Sequence, residues 1–120
     1  MDTLRQIEWM GSSKNDLREM PLAIRKAFGA GLFEVQMGGM PENAKPLKGF
    51  GGASVLELSE RDEAGTFRAV YTIKFAGAVY VLHCFQKKSH QGIATSKPDI
   101  ALIKARLKLA AVDYAKQSGE

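Results

Sequence analysis

The sequence predicts an α/β domain of the α+β kind: an antiparallel sheet with an N-terminal helical hairpin and a C-terminal helix. Three observations carry this. Three strand-like stretches follow one another between Ser54 and Gln86, separated by short turns. Ile24, Ala27, Phe28, Gly31, Leu32 and Val35 recur at spacings of three and four, the period of a helix with one buried face. Ser96-x-x-Asp99 has the form of a capping box and precedes a second such stripe.

Each element has its own signal. Ile7-Glu8-Trp9 is short and apolar-ended, which suits a first edge strand. Ser12 to Asp16 offers capping residues for a brief helix over Asp16–Met20, which stops before Pro21. Proline fits the first turn of a helix, so the striped helix starts there and ends at Gly38-Gly39. Pro41 to Gly52 reads as a loop. Ser54 to Ser59 alternates, with Leu56 and Leu58 on one side and Val55 and Glu57 on the other. Glu60 to Thr66 reads as a charged turn. Phe67 to Phe75 places Phe67, Ala69, Tyr71, Ile73 and Phe75 on one face, and Arg68, Val70, Thr72 and Lys74 on the other. After a turn at Ala76-Gly77, Ala78 to Gln86 is apolar almost throughout, as expected of an interior strand. The last helix spans about Lys97–Lys116, with Ile100, Ile103, Leu107, Ala110 and Tyr114 as its apolar stripe.

Composition narrows the class. A chain of 120 residues, 45% of them hydrophobic, can bury one core without disulfides or metal, so residues 1–120 are read as a single domain. The one cysteine, Cys84, lies in an apolar run and is read as a reduced core residue. The first ten residues mix charges with apolar groups, unlike a signal peptide. No apolar run reaches membrane-spanning length, and a cytoplasmic protein without membrane contact is expected. Charge is uneven: residues 1–44 hold five Lys/Arg and six Asp/Glu, residues 45–120 twelve and seven. The basic surplus belongs to the sheet and last helix, where it suits a ligand rich in phosphate.

Arg68 heads the candidate functional residues. On a strand flanked by apolar neighbours it is either a guanidinium fork for phosphate or the partner of Glu57 on the next strand. A two-residue turn at Ala76-Gly77 sets Arg68 opposite Phe85 and brings His83 and Lys87 to its face. A three-residue turn brings Lys88 instead. His83 reads as a core imidazole. His90, in the polar stretch after the lysines, suits acid or base work near neutral pH. The two histidines share no compact ligand motif, so no metal site is expected. Gly49-Phe50-Gly51-Gly52 lacks the Gly-Lys-Ser/Thr ending of a phosphate-cradling loop. Cleavage of RNA by its own 2′-hydroxyl needs charge stabilisation and two proton transfers, and no cofactor. Arg68, Lys87, Lys88 and His90 are therefore the catalytic candidates, Glu57 a structural or acid/base partner, and Lys45, Lys48 and Lys74 the RNA-binding set.

Several of these segments together resemble a known family. Lys45-Pro46-Leu47-Lys48-Gly49-Phe50, then Phe67-Arg68-Ala69-Val70-Tyr71, then the run from Val81 to Ser89 are similar to the RelE/HigB superfamily of bacterial toxins. The phage-derived HigB-like branch is the most similar part of it. Trp9, the serines before Leu17, and Leu22 to Phe28 extend the likeness into the N-terminal helices. The resemblance implies a compact RelE-like fold. It implies a toxin that cleaves messenger RNA on the ribosome and inhibits translation, neutralised by a cognate helix-turn-helix antitoxin. It matches the family's strand arginine to Arg68 and its basic residue after the last strand to Lys87 or Lys88. Two departures stand out. Val55-Leu56-Glu57-Leu58 replaces a lysine-bearing strand, and no tyrosine follows the last strand until Tyr114, with His90 in that vicinity. The alternative from another class is a non-enzymatic interaction protein, either a ParE-like gyrase inhibitor or a phage host-binding factor.

Overall fold

The computed structural model describes residues 3–52, 54–87 and 94–119. Within them the chain runs β1 (Gln6–Trp9), α1 (Ser13–Arg18), α2 (Leu22–Gln36), β2 (Ala44–Pro46), β3 (Val55–Asp62), β4 (Gly65–Thr72), β5 (Ala78–Gln86) and α3 (Lys97–Gln117). The strands form a five-stranded sheet in the order β1-β5-β4-β3-β2. Strands β2 to β5 are antiparallel, as expected, but β1 lies parallel to β5, so the sheet is mixed. The reason is the long connection. Both hairpin helices and three strands intervene before β5 returns beside β1, and no tight turn dictates opposite directions.

The second helix of the N-terminal hairpin forms as its spacing predicts, whereas the first starts at Ser13 and ends at Arg18 instead of spanning Asp16–Met20. Pro21 is the residue just before α2, and its carbonyl accepts from Arg25 N at 2.9 Å. Ile24, Phe28, Leu32 and Val35 are buried against Leu56, Leu58, Ala69, Tyr71 and Val81 of the sheet. Leu17 and Met20 join them from α1 and its exit, so both helices cover one face. α3 covers the opposite face. Ile103 and Ala110 are fully buried there with Val55, Val70, Tyr80 and Leu82. Phe75, assigned from alternation to the α2 face, packs on the α3 side because β4 ends at Thr72 and the alternation stops with it. Sandwiched between helices, β5 is buried from Ala78 to Cys84, which explains its continuous apolar run. Cys84 is 1% exposed, and burial pushes its thiol up to about 12, so it packs as a small apolar group.

Two further expectations change. The predicted loop Pro41–Gly52 contains the strand β2, an edge pairing of three residues against β3. Its proline sits where an edge tolerates the missing donor. The predicted turn Glu60–Thr66 shrinks to Glu63-Ala64, because β3 and β4 stay paired out to Asp62 and Gly65.

The β4–β5 hairpin holds an irregularity that matters for the site. Near the turn Thr72 opposes Tyr80 and Tyr71 opposes Val81. Past a shift at Val70, that residue opposes His83 and Arg68 opposes Phe85. Leu82 is the extra residue of a bulge. Its carbonyl accepts from Arg106 Nη1 of α3 at 2.9 Å.

Packing at α2 yields a paired prediction. A methyl group on Gly29 would meet nothing within 4 Å, whereas a Cβ on Gly31 would lie 3.1 Å from Leu58 Cδ1. Gly29→Ala should stabilise the protein by about 0.5–1 kcal/mol through helix propensity. Gly31→Val should destabilise it by about 1–3 kcal/mol through overpacking. Urea unfolding of both variants checks this, and equal effects would mean that α2 does not sit on β3 at this distance.

Candidate active site

The sheet face beneath α3 changes character along its length. Near the β4–β5 hairpin it is aromatic. Phe75 stacks on Tyr114 at 5.1 Å, Tyr80 donates to Asp113 Oδ2 at 2.8 Å, and Tyr114 donates to the Ala76 carbonyl at 2.8 Å. Toward the other end of the sheet, α3 reaches its N-terminus. There the same face carries Glu57, Arg68, His83 and Phe85 in place of aliphatic residues.

Alternation on β3 puts Glu57 on the Val55 face, and alternation on β4 puts Arg68 on the Val70 face. Register then sets Arg68 opposite Ser59, with Glu57 as its diagonal neighbour. Arg68 Nη1 donates to Glu57 Oε1 at 2.7 Å, and the two side chains are only 5% and 6% exposed. Removing both charges from water costs several kcal/mol per ion unless they are paired and well bonded. Glu57 Oε2 is also buried and has no hydrogen-bond partner among the described residues. Sequence reasoning left the phosphate fork and the Glu57 partnership open for Arg68. The partnership exists, and the guanidinium is buried in it.

Lys87 follows directly. Its backbone N–H bonds the Thr66 carbonyl at 2.8 Å, continuing the ladder one residue past β5. By parity with Phe85, in the register that the bulge at Leu82 sets, it shares the Arg68 face. Burial lowers its pKa, with the Arg68 and Lys45 charges acting the same way and Glu57 opposing them. Lys45 stands opposite Glu57 across the β2–β3 pairing, so it lies at the same edge. Sequence reasoning placed Lys45 in a loop and missed this pairing, because three residues are too few to show a strand period. Lys48 is exposed just beyond β2. Lys74 is exposed past the opposite end of β4, roughly 20 Å from Arg68 at strand rise, and does not join the group. Lys88 and His90 lie outside the described residues.

His83 behaves as the core histidine expected. It is 7% exposed, and its ring stacks on Phe85 at 4.4 Å. Its Nε2 bonds Asp99 Oδ1 at 2.8 Å. Ser96 Oγ donates to the other oxygen of Asp99 and accepts from its backbone N–H, so Ser96 caps α3 as predicted, with the return contact made through its hydroxyl. Asp99 thus ties the first turn of α3 to β5. That role was not legible from the capping pattern alone.

Among the described residues, two cavities open at this end of the sheet. One, of about 240 Å³, is lined by Lys45, Lys48, Glu57, Thr95 and Ile100 among others. The larger, about 900 Å³ and widely open, is lined by Lys87, Gln86, Phe85, His83 and Asp99 among others. A phosphate backbone entering them would meet ammonium groups from Lys45, Lys48 and Lys87, with the Arg68 charge behind.

Similarity to known proteins agrees with this architecture. No curated protein matches the sequence significantly. Among solved structures, an arginine double mutant of the E. coli toxin RelE in the free state superimposes with a TM-score of 0.54 at 14% identity. The match covers 88% of this chain and 97% of that one. The toxin–antitoxin complex RelBE2 from Mycobacterium tuberculosis gives 0.49 at 20% identity, over 72% of this chain and 94% of the other. The RelE likeness fixes the fold as RelE-like. The family described as Phage derived protein Gp49-like (DUF891) matches residues 15–108, from α1 to the middle of α3. The span takes in the whole β2–β5 sheet and every described candidate residue, and the chain belongs to this Gp49-like phage-derived family.

Proposed function

We propose that this protein is the toxin of a toxin–antitoxin pair, a metal-independent endoribonuclease that cuts messenger RNA on the ribosome. A cognate helix-turn-helix antitoxin keeps it silent. Support comes from the RelE-like fold, the Gp49-like family and the cationic end of the sheet. One observation carries the chemistry: a lysine with a lowered pKa beside a buried, carboxylate-held arginine, at the mouth of an open cavity.

In this reading the 2′-hydroxyl attacks the adjacent phosphorus and the bond to the 5′-oxygen breaks. A 2′,3′-cyclic phosphate and a free 5′-hydroxyl result. Lys87 in its neutral form takes the 2′-hydroxyl proton, and the downward shift of its pKa favours that form. Arg68 supplies positive charge behind the phosphate as negative charge builds up, and Glu57 holds it there. Lys45 and Lys48 hold the RNA backbone. Lys88 and His90, next along the chain, are the candidates for protonating the leaving oxygen. Lys74 contributes at most a distant backbone contact.

Two variants test the assignment. Arg68→Ala should cost about 3–5 kcal/mol of stability, because it strands a buried carboxylate. Arg68→Met with Glu57→Leu replaces the pair by apolar groups and should restore stability to within about 1 kcal/mol of the parent or better. That double variant should nonetheless cut messages about a hundredfold more slowly, on the order of 3 kcal/mol in barrier. Mapping of new 5′ ends after induction, beside urea unfolding, reads both quantities. A stable double variant cutting at the parental rate would make the pair purely structural.

Lys87→Arg keeps the positive charge and removes the deprotonation. RNA binding should hold while cleavage is lost, and the parent's rate should climb with pH to a plateau at the lowered lysine pKa. Retained cleavage in Lys87→Arg would reassign the base. Parental induction should depress protein synthesis before DNA synthesis. The reverse order with intact messages would favour the gyrase-inhibitor reading.

A further inference from the structure

We propose that the outward face of α3 is a docking surface for an amphipathic helix of another protein, one whose apolar seam is flanked by carboxylates. The helix already spends one face on the sheet, with Ile103 and Ala110 fully buried. A second apolar stripe faces away from it. Leu102, Ala105, Leu109 and Val112 follow at spacings of three, four and three. The three large side chains are 37%, 58% and 53% exposed. This is the narrow seam of a two-helix contact rather than the broad stripe of a helix lying on a core.

Charge identifies the occupant. The described α3 carries two carboxylates, and both are engaged. Asp99 is bonded to His83 and Ser96. Asp113 accepts from Tyr80 at 2.8 Å and from Gln117 at 2.7 Å. Lys97, Lys104, Lys108 and Lys116 are all exposed. A leucine seam with Lys97, Lys104 and Lys108 along one side and Lys116 within it, its own acids committed, is complementary to a seam that carries Glu or Asp. A second copy of this chain fits poorly. An antiparallel pairing about the middle of the seam, at position 107, sets Lys108 against Arg106 of the other copy, and a parallel pairing sets Lys116 against its counterpart in the seam. RNA would leave the leucines uncovered. A lipid surface calls for a wider apolar face with aromatic anchors, and this seam has none. The surface is also rigid, since Asp99, Arg106 and Tyr114 pin α3 to the sheet along its length. A partner helix therefore pays little to order it. The proposal does not rest on RNA cleavage, and its test contains no RNA.

The probes are two synthetic helical peptides of about three heptads with leucine seams, one flanked by Glu and the other by Lys. Fluorescence anisotropy measures their binding to the full chain. The Glu-flanked peptide should bind and the Lys-flanked one should not. Binding should weaken as salt rises, because the lysines are exposed. Leu102→Ser with Leu109→Ser should weaken binding tenfold or more, an effect of about 1.4 kcal/mol or more. The melting curve should stay at the parental position, because both leucines face solvent. Lys104→Glu with Lys108→Glu should reverse the preference to the Lys-flanked peptide. Absence of binding, equal binding of both peptides, or indifference to the leucine substitutions would overturn the proposal. So would self-association through this seam in sedimentation, or capture by anionic lipid vesicles that depends on the same leucines.

Discussion

The ion pair between Arg68 and Glu57 is the constraint on which the functional end of the sheet depends. Its 2.7 Å contact is buried on both sides, at the end of the sheet where α3 begins. Such a pair stabilises a fold little, since desolvation consumes most of the attraction, yet removing either partner is costly. An apolar pair of similar volume would close the sheet more cheaply. What the charged pair provides is a fixed positive centre held away from water. That centre acts on Lys87, whose proton affinity it lowers along with burial. Lys45, drawn to the same edge by its pairing opposite Glu57, adds to the effect.

Strand β5 delivers Lys87 to that centre, and the bulge at Leu82 sets its phase. Without the extra residue, the register near the turn would continue and the next lysine would face Arg68. Bulges bend a strand and re-aim its side chains. This one leaves Leu82 packed under α3 while His83 bonds Asp99 on the same face. Arg106 fixes the bulge from α3 by taking the Leu82 carbonyl, and its Nη2 also donates to Ser12 Oγ ahead of α1. One side chain thus ties the last helix to the bulge and to the first helix. The position of the active lysine is coupled to the packing of both helical layers.

What the sequence reveals tracks how one-sided each element is. α2 buries one face, so its period gives the orientation of Phe28 directly, and the alternation of β3 separates Leu56 from Glu57 although both faces of that strand are covered. Turn arithmetic left the partner of Arg68 open between two registers. The bulge that sets it opposite Phe85 is not legible, because β5 is apolar on both faces and a slip leaves no mark in its pattern. β2 is too short to show a period, which hid the placement of Lys45 beside Glu57. The direction of β1 depends on a connection longer than local signals reach. The choice between a phosphate fork and an ion pair for Arg68 needed the diagonal neighbour, which only the register supplies.

The central claim is that Lys87, partly buried beside Arg68, has its proton affinity lowered by burial first and by the Arg68 charge second. Its most direct test is an NMR titration of the Lys87 side chain in the intact protein and in the double variant Arg68→Met with Glu57→Leu. The account predicts a lysine pKa below the ordinary value of about 10.4 in the parent and only a small rise in the variant, because burial persists and the Arg68 and Glu57 charges, which act in opposite directions, are lost together. Titration at the ordinary lysine value in both proteins would contradict it.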